Sequence, residues 1–452
     1  MDHRVDLPTE IVSLILENVN QKDLYACSLV NHQFHAVANP LLWCSFGIKS
    51  AANFQRVMTG LRESNPPMGR YVRHVHLTGF VTDMQLMAFM LHTPLLEDLL
   101  MEDGRRLTNI SLCRLPGCCP RLKLMLLRGS DITHRSIQVL ANACHGLRIL
   151  HLDECLRLSS TIFATLAAGC PMLNELTIDV GGMKEFDIYA HALIATNEHA
   201  RARVYGIARA AAMDLAGLRV LTQLTVRNSP APFSQHLLVT SDRQGRVAWP
   251  YMIDFRLLGC YEVTDNHAIT FIKEHPTLVG LALEEGDLSD VVLRAISLSL
   301  PLIVYVGLSF NGRITGHALR HVILDCEWLQ YLRLVGCGIP ASEFPEASPE
   351  CVDMVNGFLP LLDHLDSDAI EEIKLIGFRH DNLDDAQLDD ADEDDDHLDN
   401  EDDLWIDVYD TDDGTAAMID QFQQLALFGN LLHDVIVDIR GNDDEEDSMD
   451  DL

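Results

Sequence analysis

Residues Leu147–Cys170 read LRILHLDECLRLSSTIFATLAAGC. The opening follows the pattern L-x-x-L-x-L. Leu150 and Leu152 alternate as on a strand and point inward, while His151 between them points out. Cys155 begins a turn completed near Leu158-Ser159, and TIFATLAAGC predicts a helix that carries the chain back to the start of a next strand. One such coil cannot close a core. Its apolar side is buried only against another copy, so the unit implies a stacked array.

Copies are present on both sides. The first position of the pattern recurs at Val72, Leu96, Leu122, Leu147, Leu173, Leu221, Met252, Leu278, Ile303, Leu329 and Ile370. The successive gaps are 24, 26, 25, 26, 48, 31, 26, 25, 26 and 41. The gap of 48 is two periods, which places a degenerate repeat within residues 181–220. The gaps of 31 and 41 are one period plus a loop, giving inserts near 228–250 and 338–365. A weaker last copy is read at Leu432-x-x-Val435-x-Val437. The expected fold is α/β: a right-handed solenoid of 11–12 repeats over 49–380, with parallel strands on its concave side and helices on its convex side.

The cysteines obey the same frame. Cys119, Cys144, Cys170 and Cys326 each stand three residues before a first position, and Cys155, Cys260 and Cys337 eight residues after one. A thiol recurring every 25 residues or so reads as a small buried residue. No C-x₂-C pair recurs at zinc-finger spacing. This spacing resembles the cysteine-containing class of leucine-rich repeats over roughly residues 70–380.

Ahead of the array, residues Leu7–Phe46 read LPTEIVSLILENVNQKDLYACSLVNHQFHAVANPLLWCSF. Pro8 and Thr9 open a helix on which Ile11, Leu14, Ile15 and Val19 share a face. Asp23 is read as the N-cap of a second helix, Leu24 to Val30, and a third runs from about Gln33 to Ala38, stopping before Pro40. Three short helices cannot enclose a stable core unaided. The order Leu7-Pro8-x-Glu10-Ile11, Ile15-Leu16, Asp23-Leu24, Cys27-x-Leu29-Val30-Asn31, Phe34 and Leu41-Leu42-Trp43 resembles an F-box, departing where Asn31-His32 replaces Cys and a basic residue. The resemblance implies binding to the SKP-type adaptor of a cullin-RING ubiquitin ligase. It assigns Leu7, Pro8, Ile11, Ile15, Leu16, Leu24, Val30 and Trp43 to the docking surface and its support. A cap sealing the first repeat is the structural alternative.

The formal charge of −35 is concentrated at one end. Residues 381–452 hold 28 Asp or Glu against Arg440 alone; the preceding 380 hold 40 acidic and 32 basic residues. The near-neutral body lacks the Lys/Arg excess that nucleic acid or an anionic membrane rewards. Residues 381–413, with 18 carboxylates and no Lys or Arg, are expected to be a disordered loop. A helix at Ala416–Leu427 and a strand at Val435–Ile439 follow within a terminal cap over 414–440, and an acidic tail closes 441–452. The loop either solubilises the chain or attracts a target with a basic patch. The start, MDHRVDLPTEIV, has no secretory pattern, and no apolar run approaches the roughly 20 residues of a membrane span. Twelve cysteines in so long a chain point to a reducing compartment, cytosol or nucleus.

The sequence carries no G-x-x-x-x-G-K-[ST], H-E-x-x-H or G-x-S-x-G motif. His317 and His321 lie four apart on a predicted helix without a third ligand. Asp390, Asp392, Asp394 and Glu401 mimic a calcium loop, but Asp395 stands where glycine is needed. The expectation is a non-catalytic protein without cofactor or metal. On the outward strand positions, Tyr305 lies beside Tyr331, and Arg256, Ala282, Gly307 and Arg333 form the next column. Aromatic and arginine anchors dominate protein interfaces, so Tyr305, Tyr331, Arg256 and Arg333 are the candidate target-binding residues. The expected role is the target-holding subunit of the ligase. The alternative is a repeat scaffold outside ligases, such as a regulator of a small GTPase.

Overall fold

The computed structural model describes residues 7–183, 198–239, 245–355 and 359–385, all within one compact unit of the chain, Met1–Gln387. The acidic loop beyond 385, the helix and strand expected within 414–440 and the tail 441–452 lie outside the described residues.

Three helices come first: α1 (Thr9–Leu16), α2 (Gln21–Ser28) and α3 (His32–Cys44). Then a strand alternates with each helical return: β1 (Ser45–Ile48), β2 (His74–Leu77), β3 (Asp98–Met101), β4 (Leu124–Arg128), β5 (Ile149–Asp153), β6 (Glu175–Asp179), β7 (Gln223–Arg227), β8 (Asp254–Leu258), β9 (Gly280–Glu284), β10 (Tyr305–Gly307) and β11 (Tyr331–Arg333). β12 (Val352–Val355) and β13 (Leu359–Leu362) pair antiparallel as a hairpin, and β14 (His364–Leu365) follows. β1 to β11 lie side by side in chain order, each parallel to the next. This is the α/β solenoid expected from the repeat.

Register explains the core. Met125 pairs with Leu150, Leu150 with Leu176, Leu176 with Leu224 and Leu224 with Phe255, so equivalent leucines stack in one inward column. A single buried apolar cluster therefore runs from Ile48 to Ile373. Each fully buried leucine in it contributes roughly 1.5–3 kcal/mol relative to exposure. The seven framed cysteines are all buried in this cluster. Cys119, Cys144, Cys170 and Cys326 each cap the C-terminus of a helix, where the chain turns in toward the next strand.

Helix starts are tied from one coil to the next. The carboxylate of Asp83 accepts from the backbone N–H of Thr108 at 2.9 Å and from its hydroxyl at 2.7 Å. Asp265 does the same for Ser289 and Asp290 for Thr315. Each of these acceptors follows a Ser or Thr that caps its own helix, so one dipeptide serves two helices.

Several boundaries depart from the sequence reading. β6 pairs directly with β7, so no strand of a degenerate repeat lies between them in the sheet; the described part of 181–220 carries the long helix Glu198–Leu215. Alanines Ala208, Ala211 and Ala212 are buried on that helix, a helical spacing that a search for leucine strands passes over. The repeat placed at Ile370 is instead the helix Ser367–Asp385. Ala369, Ile370 and Ile373 are its buried face, and I-x-x-I satisfies helical spacing as well as the repeat pattern. That helix enters the segment expected to be disordered by five residues. The insert 228–250 contains the helix Ala231–Leu238, and Trp249 is buried with its indole N–H on the Leu215 carbonyl. In the head, Asn20 rather than Asp23 caps α2. α3 runs through Pro40 to Cys44, because Leu41 and Leu42 pack on the head's core and Trp43 on the array. Packing on two sides outweighs the hydrogen bond that a proline removes.

Candidate functional site

The head has a small core of its own. Val12, Leu16, Leu24 and Ala38 are buried, with Val19, Phe34, Val37, Leu41 and Leu42 packed on them. Asn20 and Asn31 set the helix starts by accepting from the N–H groups of Asp23 and Phe34. α1 is apolar on more than one face, and its own chain covers only one. Ile11, Leu14 and Ile15 are exposed; of the face expected for α1, only Val19 turns to the core. Leu7 and Pro8 are exposed at the start of the helix, and Val30 is 62% exposed beside Leu29 at 69%. Leu7, Pro8, Ile11, Ile15 and Val30 are thus on the surface. Leu16 and Leu24 support it from beneath. Trp43 joins the head to the array: its ring meets Phe46 edge-on at 5.9 Å and packs against the array's core, where a side chain at bare Gly60 would strike it. Leu14, Tyr25 and Leu29 are exposed apolar residues that the sequence reading did not assign to the docking surface, although all three stand within Leu7–Phe46.

The second surface is the open face of the sheet, opposite the helices. Toward its end, the planar groups of four residues stack across the strands. Asp254 holds the Arg256 guanidinium at 2.9 and 2.7 Å, and that guanidinium lies 4.9 Å over the Tyr305 ring. Tyr305 and Tyr331 are parallel at 5.7 Å, and His364 stacks on Tyr331 at 5.4 Å. β9 lies between Arg256 and Tyr305, and its outward residues are Gly280 and Ala282. A side chain at Gly280 would press on the Asp254 carboxylate, and one at Gly307 would press on the Tyr305 hydroxyl. The small residues are the space in which the stack lies down. Arg333 remains half exposed, with Nε 3.7 Å from Glu284. Burial pushes both tyrosine hydroxyls above their ordinary pKa, with Arg256 opposing at Tyr305 and Arg333 at both. All four candidate residues are therefore brought to one surface. His364 was missed because its strand is antiparallel and outside the repeat frame.

The other end of the open face differs. Leu100, Leu124, Leu126 and Ile149 occupy outward positions on β3, β4 and β5, with Leu100 opposite Leu126 and Leu124 opposite Ile149. Histidine–carboxylate pairs flank them: His74–Asp98 at 2.6 Å, His76–Glu102 at 3.0 Å and His151–Glu175 at 2.7 Å. The hydrogen bond that His74 donates to Asp98 raises the His74 pKa, against partial desolvation. The repeat frame turns Met125 and Leu127 inward and so leaves the apolar Leu124 and Leu126 on the open face. The loss of alternation through Leu124–Leu127 was the available signal.

His317 and His321 touch through their Nε2 atoms at 3.3 Å. Among the described residues no three His, Cys, Asp or Glu side chains converge to hold a metal ion, and no helix is long and apolar enough to cross a membrane.

No curated protein matches the chain. Among solved structures it is similar to a chain in the crystal structure of the Rad7 and Elc1 complex in yeast, with 12% identity, 73% of this chain and 88% of that one covered, and a TM-score of 0.42. Residues 5–49 match the model of the F-box-like family, so the three-helix head with its uncovered apolar face is an F-box-like domain.

Proposed function

We propose that this protein is the target-holding subunit of a cullin-RING ubiquitin ligase, binding a SKP-type adaptor through its head and a protein target through the open face of a leucine-rich-repeat array. The observation that carries the reading is the F-box-like head, whose α1 leaves Ile11, Leu14 and Ile15 uncovered by its own chain. Exposed apolar residues gathered on one small domain call for a partner surface. The array supports the second half of the reading through its Arg256–Tyr305–Tyr331–His364 stack, since such anchors carry most of the energy in protein interfaces. The subunit does no bond chemistry. It raises the effective concentration of a target's lysine beside a conjugating enzyme. Twelve cysteines without a disulfide agree with action in a reducing compartment, cytosol or nucleus.

The test is a titration of the full chain with a SKP-type adaptor by calorimetry. The double variant Ile15→Asp/Val30→Asp changes two exposed residues and is expected to weaken adaptor binding at least about a hundredfold, with the melting temperature nearly unchanged. Adaptor binding as tight as that of the native chain would overturn the reading.

A further inference from the structure

At seven strand exits the chain passes through a left-handed residue, seven positions after the first residue of the repeat. Gly129 (φ 71°), Glu154 (52°), Asn228 (51°), Gly259 (81°), Glu285 (62°), Phe310 (60°) and Gly336 (69°) all occupy this place. The recurrence has a cause: the N–H of Gly129, Glu285 and Phe310 each donates to the next coil, onto Asp153, Ser309 and Val335 respectively. Glycine adopts this conformation freely and asparagine tolerates it, whereas glutamate and phenylalanine are strained there. Glu154 spends its carboxylate on Arg128 at 2.8 Å. Glu285 and Phe310, on neighbouring coils, do something else.

Both line an open cavity of about 520 Å³ at the strand exits of β8 to β10, completed by Tyr261 and the bare backbone of Gly286. Phe310 is 53% exposed and Tyr261 56%. The Tyr261 hydroxyl donates to the Glu285 carboxylate, which fixes both groups in the wall. The Phe310 ring rests over Gly336, where any side chain would strike it. Two exposed aromatic side chains and a carboxylate thus frame one space, and none of the four lining residues is basic. Aromatic faces carry negative charge density, and a carboxylate adds a full charge. Strained residues cluster where structure serves function.

We infer that this cavity takes the protonated side chain, lysine or arginine, of a bound protein. The inference rests on the reading that this end of the array holds a target, because the cavity adjoins the strands that carry Tyr305 and Arg256. It adds the chemistry by which that target is recognised: a cation set between Tyr261 and Phe310 and neutralised by Glu285.

The full-length protein is titrated with Nα-acetyl-lysine amide, Nα-acetyl-arginine amide and the neutral Nα-acetyl-norleucine amide, with binding read by saturation-transfer NMR. At least one cation is expected to bind about tenfold more tightly than norleucine. Glu285→Gln and Phe310→Gly are each expected to reduce that binding about tenfold. Glycine suits the left-handed position, so Phe310→Gly should melt no lower than the native chain, which separates lost recognition from lost folding. Norleucine binding equal to that of the cations, absence of transfer from all three amides, or undiminished cation binding in both variants overturns the inference. Adaptor titration reports separately. Cation binding without adaptor binding sinks the ligase reading alone, and adaptor binding without cation binding sinks this inference alone.

Discussion

Cys155 and Cys260 sit at the strand exit, packed beneath a left-handed residue, and Cys170 closes a helix above the next strand. Burial pushes all three thiols up to about 12. Above pH 9 the unfolded chain releases these protons while the folded one keeps them, so stability present below that pH is lost as pH rises toward 12. Replacing Cys155 and Cys170 by alanine should flatten the fall of unfolding free energy between pH 8 and pH 10, measured by urea denaturation. Equal slopes in the native chain and the variant would remove the thiols from the account. Their placement was legible, because seven cysteines falling on two fixed positions of one repeat frame need two recurring sites. The stacked Tyr305 and Tyr331 were legible for the same reason, as side chains one period apart on adjacent strands, whereas Arg256, two strands away and in the next column, reaches Tyr305 across the small residues Gly280 and Ala282. His364 was not: it reaches Tyr331 from an antiparallel strand whose position no periodicity encodes.

Elements are held to one another by small polar devices as much as by leucine. Asp83 starts one helix and receives Thr108 and Ser111 from the next. Burial would raise its pKa, but the hydrogen bonds from Ser111 and Thr108 outweigh that and hold it low. Asp83→Ala should therefore cost about 1–3 kcal/mol at neutral pH. The contribution of a carboxylate with a depressed pKa is present above the unfolded value and disappears as pH falls through the folded one. The gap between native and variant should accordingly narrow below about pH 4. Thermal melts across that range measure it, and a gap independent of pH would reject the assignment. The dipeptide Thr82-Asp83 recurs as Thr264-Asp265 and Ser289-Asp290, so the device was readable, but only with the repeat frame already in hand. The helix Ser367–Asp385 shows the opposite case. Its Ile370 and Ile373 fit both a strand repeat and a helix face, and only packing on the final coil decides between them.

Across the whole unit, the head and the Tyr305 end of the array are separated by strands β2 to β7. At about 4.8 Å per ladder step, β8 lies roughly 30 Å along the sheet from β1. Coils contact mainly their neighbours, so the two surfaces should act independently. The Ile15→Asp/Val30→Asp variant should then bind lysine or arginine amide as the native chain does, within about 0.5 kcal/mol. A larger change, read by the same NMR titration, would show the surfaces to be coupled. The repeat period and the order of the head's apolar residues by themselves determined the parallel array, its inward leucines and cysteines, and the presence of a three-helix F-box-like head. These are local patterns repeated often enough that one arrangement satisfies all of them. Tertiary structure alone decided which face of α1 stays bare, that Ile370 lies on a helix, and that Tyr261, Glu285 and Phe310 share a cavity. Each depends on which of several equally apolar or equally spaced residues finds a neighbour, and a neighbour exists only once the coils have stacked.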